Sequence, residues 1–117
     1  MMNDSGIQRA LELLDGDLTH IAIGTGAAPN RDATKLTQEV YRKAVSDSFI
    51  DGNVLVKEIF LEESEGNVAI TEWGIFCDGA TDDVDSGNLF ASTAADIQKD
   101  NTQSLTLSVE IEIVEVA

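Results

Sequence analysis

The chain has 117 residues, 43% hydrophobic and 25% charged, with 22 Asp plus Glu against 7 Lys plus Arg and a net charge of −15. This length fits one domain and buries roughly 65% of the surface that the unfolded chain exposes. No apolar run approaches the roughly 20 residues of a membrane-spanning helix, and the N-terminus lacks the basic start and apolar stretch of a secretory signal. Cys77 is the single cysteine and His20 the single histidine, which excludes an internal disulfide, a multi-cysteine zinc site and a His-rich metal centre.

Residues 5–15 predict a short helix. Ser5 and Gln8 have capping-box spacing, and Gly16 stands where a helix stops. Ile7, Ala10, Leu11 and Leu14 form one apolar face. Residues 1–16 are then either a helix docked on its own sheet or an arm that packs on a neighbouring subunit. Residues 18–24 read as the first strand. Gly24-Thr25-Gly26 follows, without the third glycine, the lysine or the helix of a phosphate loop, so it reads as a turn leaving the strand. Residues 33–42 fit a helix or an extended segment.

From Ala44 the pattern turns to β. Ala44–Ile50 predicts a strand, Asp51-Gly52 a two-residue hairpin turn, and 53–62 the return strand. After a turn at 63–66, Asn67–Cys77 predicts a third strand and thus a three-stranded meander. Residues 78–87 form a loop, 88–94 a short strand, and 96–103 a polar turn. From 104 to 115, Leu105, Leu107, Val109, Ile111 and Ile113 alternate with polar residues, giving one buried and one wet face. The expected fold is all-β, an antiparallel β-sandwich over 17–117 with a short N-terminal helix. Without crossover helices, a parallel sheet is disfavoured.

Little in the chain has the form of an active site. Cys77 and His20 are the one nucleophile–base pair available, with no third orienting group. Cys77 reads as a small buried hydrophobe beside Trp73 and Ile75. His20 reads as a hydrogen-bonded or surface histidine. Asp82, Asp83 and Asp85, in a glycine-bounded loop, supply oxygen atoms of the kind calcium takes, but their spacing is not that of an EF-hand. A solvated loop is the alternative. Glu110 and Glu112 point off the wet face of the last strand, toward water or the basic groups of a partner chain. Interface candidates are Ile7, Leu11 and Leu14 on the helix, with Trp73 and Phe76 among the aromatics. No catalytic residue, cofactor or enzymatic activity is expected.

The acidity disfavours direct binding to nucleic acid or an anionic membrane, because both need clustered cations and Arg42-Lys43 is the sole adjacent basic pair. It suits solubility, or a high-salt setting where the Debye length falls to about 3 Å at 1 M.

Ile70-Thr71-Glu72-Trp73-Gly74-Ile75-Phe76-Cys77-Asp78-Gly79 resembles the I-T-E-x-G-(I/L)-F-x-x-x-G core of small tailed-virus proteins related to the phage tail-collar fibre family. His20–Gly26 is similar to the family's y-I-A-L-G-T-G strand and turn, and Leu36–Arg42 to its L-x-x-E-x-x-R segment. Asn88–Ala91 resembles G-x-L-x-A-R, and Lys99–Leu107 the entry to the last strand. The chain departs from the pattern at Trp73, where a smaller apolar residue is usual, and at Ala91-Ser92, which lacks the arginine. The resemblance implies a non-enzymatic virion protein, assembled in the host cytoplasm. It would act as an oligomeric tail, collar, fibre-attachment or surface-appendage component, with other virion proteins and its own copies as partners. With no shaft in these residues, an adaptor is one form this could take. A free-standing calcium- or carbohydrate-binding sandwich is the alternative.

Overall fold

A computed structural model describes residues 1–115, so the last two positions of the expected 17–117 sandwich lie outside the described residues. One helix, α1 (Asp4–Asp17), precedes seven strands. These are β1 (His20–Gly24), β2 (Glu39–Ala44), β3 (Asp47–Asp51), β4 (Val54–Leu61), β5 (Ala69–Cys77), β6 (Asn88–Gln98) and β7 (Leu105–Glu112). They form two sheets, β2-β1-β5-β6 and β3-β4-β7, with every described pairing antiparallel. The sandwich and short helix expected from the sequence are both present.

Period-two alternation sets the core. Ile21, Ile23 and Ile75 of the first sheet share one buried cluster with Leu55, Ile59, Leu61 and Leu107 of the second. Register explains the sorting, because paired residues project to the same face. Leu105, Leu107 and Ile111 stand opposite Leu61, Ile59 and Leu55, while Glu110 and Glu112 stand opposite Val56 and Val54 on the outer face. The predicted faces of β7 are therefore correct. The helix joins the same core through Leu11, with Ile7 and Leu14 half-buried beside it. It packs against β3 and β4 of its own chain.

Several local expectations are corrected. The N-cap is Asn3, without a side-chain bond, and Ser5 lies inside the helix. Gly16 lies in the last turn, which closes when the Leu18 N–H donates to the Leu14 carbonyl at 2.9 Å. Residues 44–50 are not one strand. The Val45 N–H bonds the Thr19 carbonyl and the Ser46 N–H bonds the Glu58 carbonyl, so consecutive amides serve opposite sheets and the chain turns the sandwich corner there. The hairpin loop is Gly52-Asn53, one residue later than expected, since Asp51 pairs with Val54. Gly52 takes φ +62° at its first position, as a type II′ turn requires. The meander is only a hairpin. After β4 the chain crosses to the other sheet, where β5 inserts between β1 and β6, and the second neighbour of β4 is β7. The strand expected at 88–94 runs on to Gln98, because the long β5 partners it as far as Ala69↔Gln98.

Six of the seven cations have partners within the chain; Arg9–Glu12 and Lys35–Asp85 are exposed pairs, and the other four of the six are held more deeply. Lys57, on the core face of β4, is 4% exposed; its ammonium donates to the Asp15 carbonyl and carboxylate at 2.8 and 2.6 Å. Lys99 is 5% exposed and donates to the Glu62 carbonyl and Asn67 Oδ1. Arg42 binds Glu39, and Lys43 binds Glu65. A buried charge is tolerated when paired and hydrogen-bonded. The surface offered to a partner is accordingly more one-sided in charge than the composition suggests.

The Glu65 pair carries a pH dependence. Hydrogen bonds from Lys43, Tyr41 and the Glu62 amide hold the Glu65 carboxyl at about 2, below its ordinary 4.5. Its contribution is complete above about pH 5 and is lost as pH falls from 4.5 through 2. The Tyr41 phenol, bonded to Glu65 at 2.6 Å, is raised to about 12, chiefly by that bond, and contributes until pH rises from 10 through 12. Glu65→Gln should flatten part of the acid limb of Tm against pH and return the phenol toward 10. The chain's one tyrosine makes an absorbance titration unambiguous.

Candidate functional site

The residues of the Ile70–Gly79 motif organise the outer face of the larger sheet. Along β5, Trp73 and Ile75 face the core, while Glu72, Gly74 and Phe76 face outward, opposite Gly24, Ala22 and His20. That outer face is covered. The loop at 25–38 and the loop at 78–87 bring Leu36 and Ala80 onto Ala22 and Phe76, with Leu89 from β6. All five β1 residues are buried as a result.

Glu72 is 0% exposed and carries no basic partner. Instead its carboxylate accepts three backbone N–H bonds, from Gly26 at 2.9 Å, Thr37 at 2.7 Å and Gln38 at 2.8 Å. The Thr71 hydroxyl adds a bond to the Gly26 carbonyl at 2.6 Å. Gly24 and Gly26 let the loop approach this closely, because a Cβ on either would lie within 3 Å of the Glu72 carboxylate. The Gly-Thr-Gly loop does cradle an anion, and the anion is the chain's own glutamate.

Arg42 ties down the second loop. In a regular strand Glu39 and Arg42 would face opposite ways. Here Ile23 pairs with Tyr41 and Gly24 with Glu39, so Val40 is an extra, bulged residue and both side chains face outward. The guanidinium makes a two-pronged bond to Glu39, 2.7 Å on each prong, with both side chains almost fully buried. A third nitrogen donates to the Thr81 carbonyl and to Ser86. The plane lies 4.5 Å from the Phe76 ring centroid. The L-x-x-E-x-x-R spacing thus encodes a bulge, an ion pair and a loop anchor.

The residues singled out for chemistry are placed as follows. His20 is buried, its Nε2 at 2.9 Å from Asp82 and its Nδ1 at 2.8 Å from the Thr19 hydroxyl. A carboxylate only accepts, so Nε2 carries the proton. Cys77 is half-buried and packs on the main core, and burial raises its thiol above the ordinary range. The pairs His20↔Phe76 and Ile21↔Ile75 put His20 on the outer face and Cys77 on the inner one, so they form no nucleophile–base pair. Asp82, Asp83 and Asp85 do not converge. Asp82 takes His20, Asp85 lies 3.8 Å from Lys35, and the Asp83 amide bonds Thr81. Among the described residues no three His, Cys, Asp or Glu side chains group as metal ligands.

Of the interface candidates, Leu11 and Phe76 are each 0% exposed and belong to the chain's own cores, so they present no docking surface. Ile7, Leu14 and Trp73 are half-buried. Trp73 faces a groove of about 160 Å³ with Gly74, Ala91, Thr93, Ser108 and Val109, on the open side of the sandwich between β6 and β7. Sequence reasoning missed both Glu72 and Arg42 as organisers. A lone acid inside an apolar strand, and an acid–base spacing of three in extended chain, were the available signals.

No helix of the described residues is long and apolar enough to cross a membrane, and no curated protein matches the chain. The family model described as phage tail-collar fibre protein, N-terminal, matches residues 8–116, from within the helix to beyond the last strand. That span includes Glu72, Arg42 and the loops they hold. The chain therefore belongs to the phage tail-collar fibre protein family, N-terminal part, a structural component of phage tails.

Proposed function

We propose that the chain is a non-enzymatic part of a tailed-phage particle that docks to other virion proteins and to its own copies, at a tail, collar, fibre-attachment or appendage position. The observation that carries this reading is the family match over 8–116, which takes in nearly the whole described fold. The placement of the polar groups supports it. Glu72, Arg42, His20 and Lys57 are engaged in holding loops and the helix. The acidity argues against a direct nucleic-acid contact, which needs clustered cations.

Gold-labelled antibody on purified particles tests the location: label at the tail is expected, and particles without the chain would sink the reading. Light scattering at low and multi-molar salt tests self-association. A defined oligomer is expected, favoured by salt because the copies repel one another. A monomer throughout removes the homo-oligomeric part.

A further inference from the structure

We propose that the open edge of β7 takes up an extended segment of a partner protein, which completes the smaller sheet as a fourth strand and presents lysine or arginine beside Glu110 and Glu112. The inference rests on the virion-docking reading above and names its surface and partner chemistry.

Three observations carry it. First, three strands lie over four. At the β3 side α1 packs against β3 and β4, and Leu11 is buried there. At the β6–β7 side nothing among the described residues covers the inner face. Ala91 and Thr93 pair with Ile75 and Trp73, so they point toward the core, yet both are exposed. The groove there, about 160 Å³, has room for a small side chain or two and has apolar walls at Trp73 and Val109. Second, the two edges differ. β6 is interrupted by irregularities at Ile75/Phe76 and Ile70/Glu72, and its Leu89 amide already bonds the Thr34 carbonyl. β7 pairs with β4 over eight residues without a break, so its other edge is a regular template for strand addition. Third, charge selects the occupant. Glu110 and Glu112 face Val56 and Val54 on β4, so no basic side chain opposes them across the strand. A strand of a second copy does not supply one, since Arg42, Lys43, Lys57 and Lys99 are engaged internally and the exposed Arg9, Arg31 and Lys35 lie on the helix and the 25–38 loop. The fitting segment alternates small apolar residues, which enter the groove, with cations, which flank the glutamates.

The probe is a capped nonapeptide alternating valine and lysine. Two controls replace lysine with glutamate or gather the same residues into blocks. At millimolar peptide, amide shifts should appear in Leu105–Glu112 and at the Trp73 indole, and alternate β7 amides should gain protection from exchange. Thr93→Arg fills the groove with a cation and should weaken binding at least tenfold while leaving amides elsewhere unshifted. The double variant Glu110→Gln, Glu112→Gln should weaken it roughly three- to tenfold. The proposal is overturned if β7 does not respond, if the glutamate or block peptide binds equally, or if β7 becomes protected at high protein concentration without peptide. A chain present in particles but indifferent to the peptide would defeat this proposal alone; absence from particles would defeat the parent reading.

Discussion

Replacing Glu72 by alanine should lower stability by about 4 kcal/mol and Tm by about 15 °C. The substitution takes a fully buried acceptor from three backbone N–H groups, each worth roughly 1–3 kcal/mol where water does not replace it. Water entering the vacated space would recover some of this, which is why the sum stays below the upper bound. Glu72→Gln keeps one accepting oxygen but turns an amide NH₂ toward backbone donors, so about half the loss is expected. Thermal unfolding measures both. Amide exchange should show the loop at 25–38 opening first, since Gly26, Thr37 and Gln38 lose their acceptor. Equal stability of Glu72→Ala and the parent chain would mean that the loop is held by Leu36 packing instead.

Arg42→Met should cost about 3–5 kcal/mol, because it leaves the Glu39 carboxylate buried without its counter-charge. Arg42→Lys keeps the charge but loses the planar fork and the stacking on Phe76, so about 2 kcal/mol is expected to be lost. The diagnostic variant is the pair Glu39→Gln with Arg42→Met. Removing both charges should be less damaging than removing the arginine alone. Denaturant unfolding compares the three. In each, exchange should rise in the 78–87 loop, whose Thr81 and Ser86 groups lose their donor.

The parts of this fold that were legible in the sequence are those dictated by local period and turn chemistry. Leu105 through Ile113 could take only one register without burying glutamates, and Gly52 marked the hairpin to within one residue. The corner at Val45-Ser46 has no local signature, because an unbroken strand and a sheet-to-sheet crossing share the same residues; which amide finds which sheet is a tertiary choice. The far half of β6 looked like a turn because Asp96 and Gln98 are polar, yet an edge strand tolerates polar residues and β5 supplied its partner. At the site, the Ile-Thr-Glu-x-Gly motif was visible as a pattern. Its mechanism was not, since Glu72 acts on amides that lie 34 to 46 residues away in the chain.

The crossing of β5 into the other sheet has a consequence for synthesis on the ribosome. β1 waits for β5, some 50 residues later, and β4 completes its ladder only when β7 emerges, with Val54 pairing with Glu112. Only the β3–β4 hairpin and the β1–β2 pair are available early, and two-stranded units are marginal in water. The nascent chain therefore stays open until its final strand is made, and high contact order makes closure slow. During that interval the mutual repulsion of 22 carboxylates keeps neighbouring nascent chains apart.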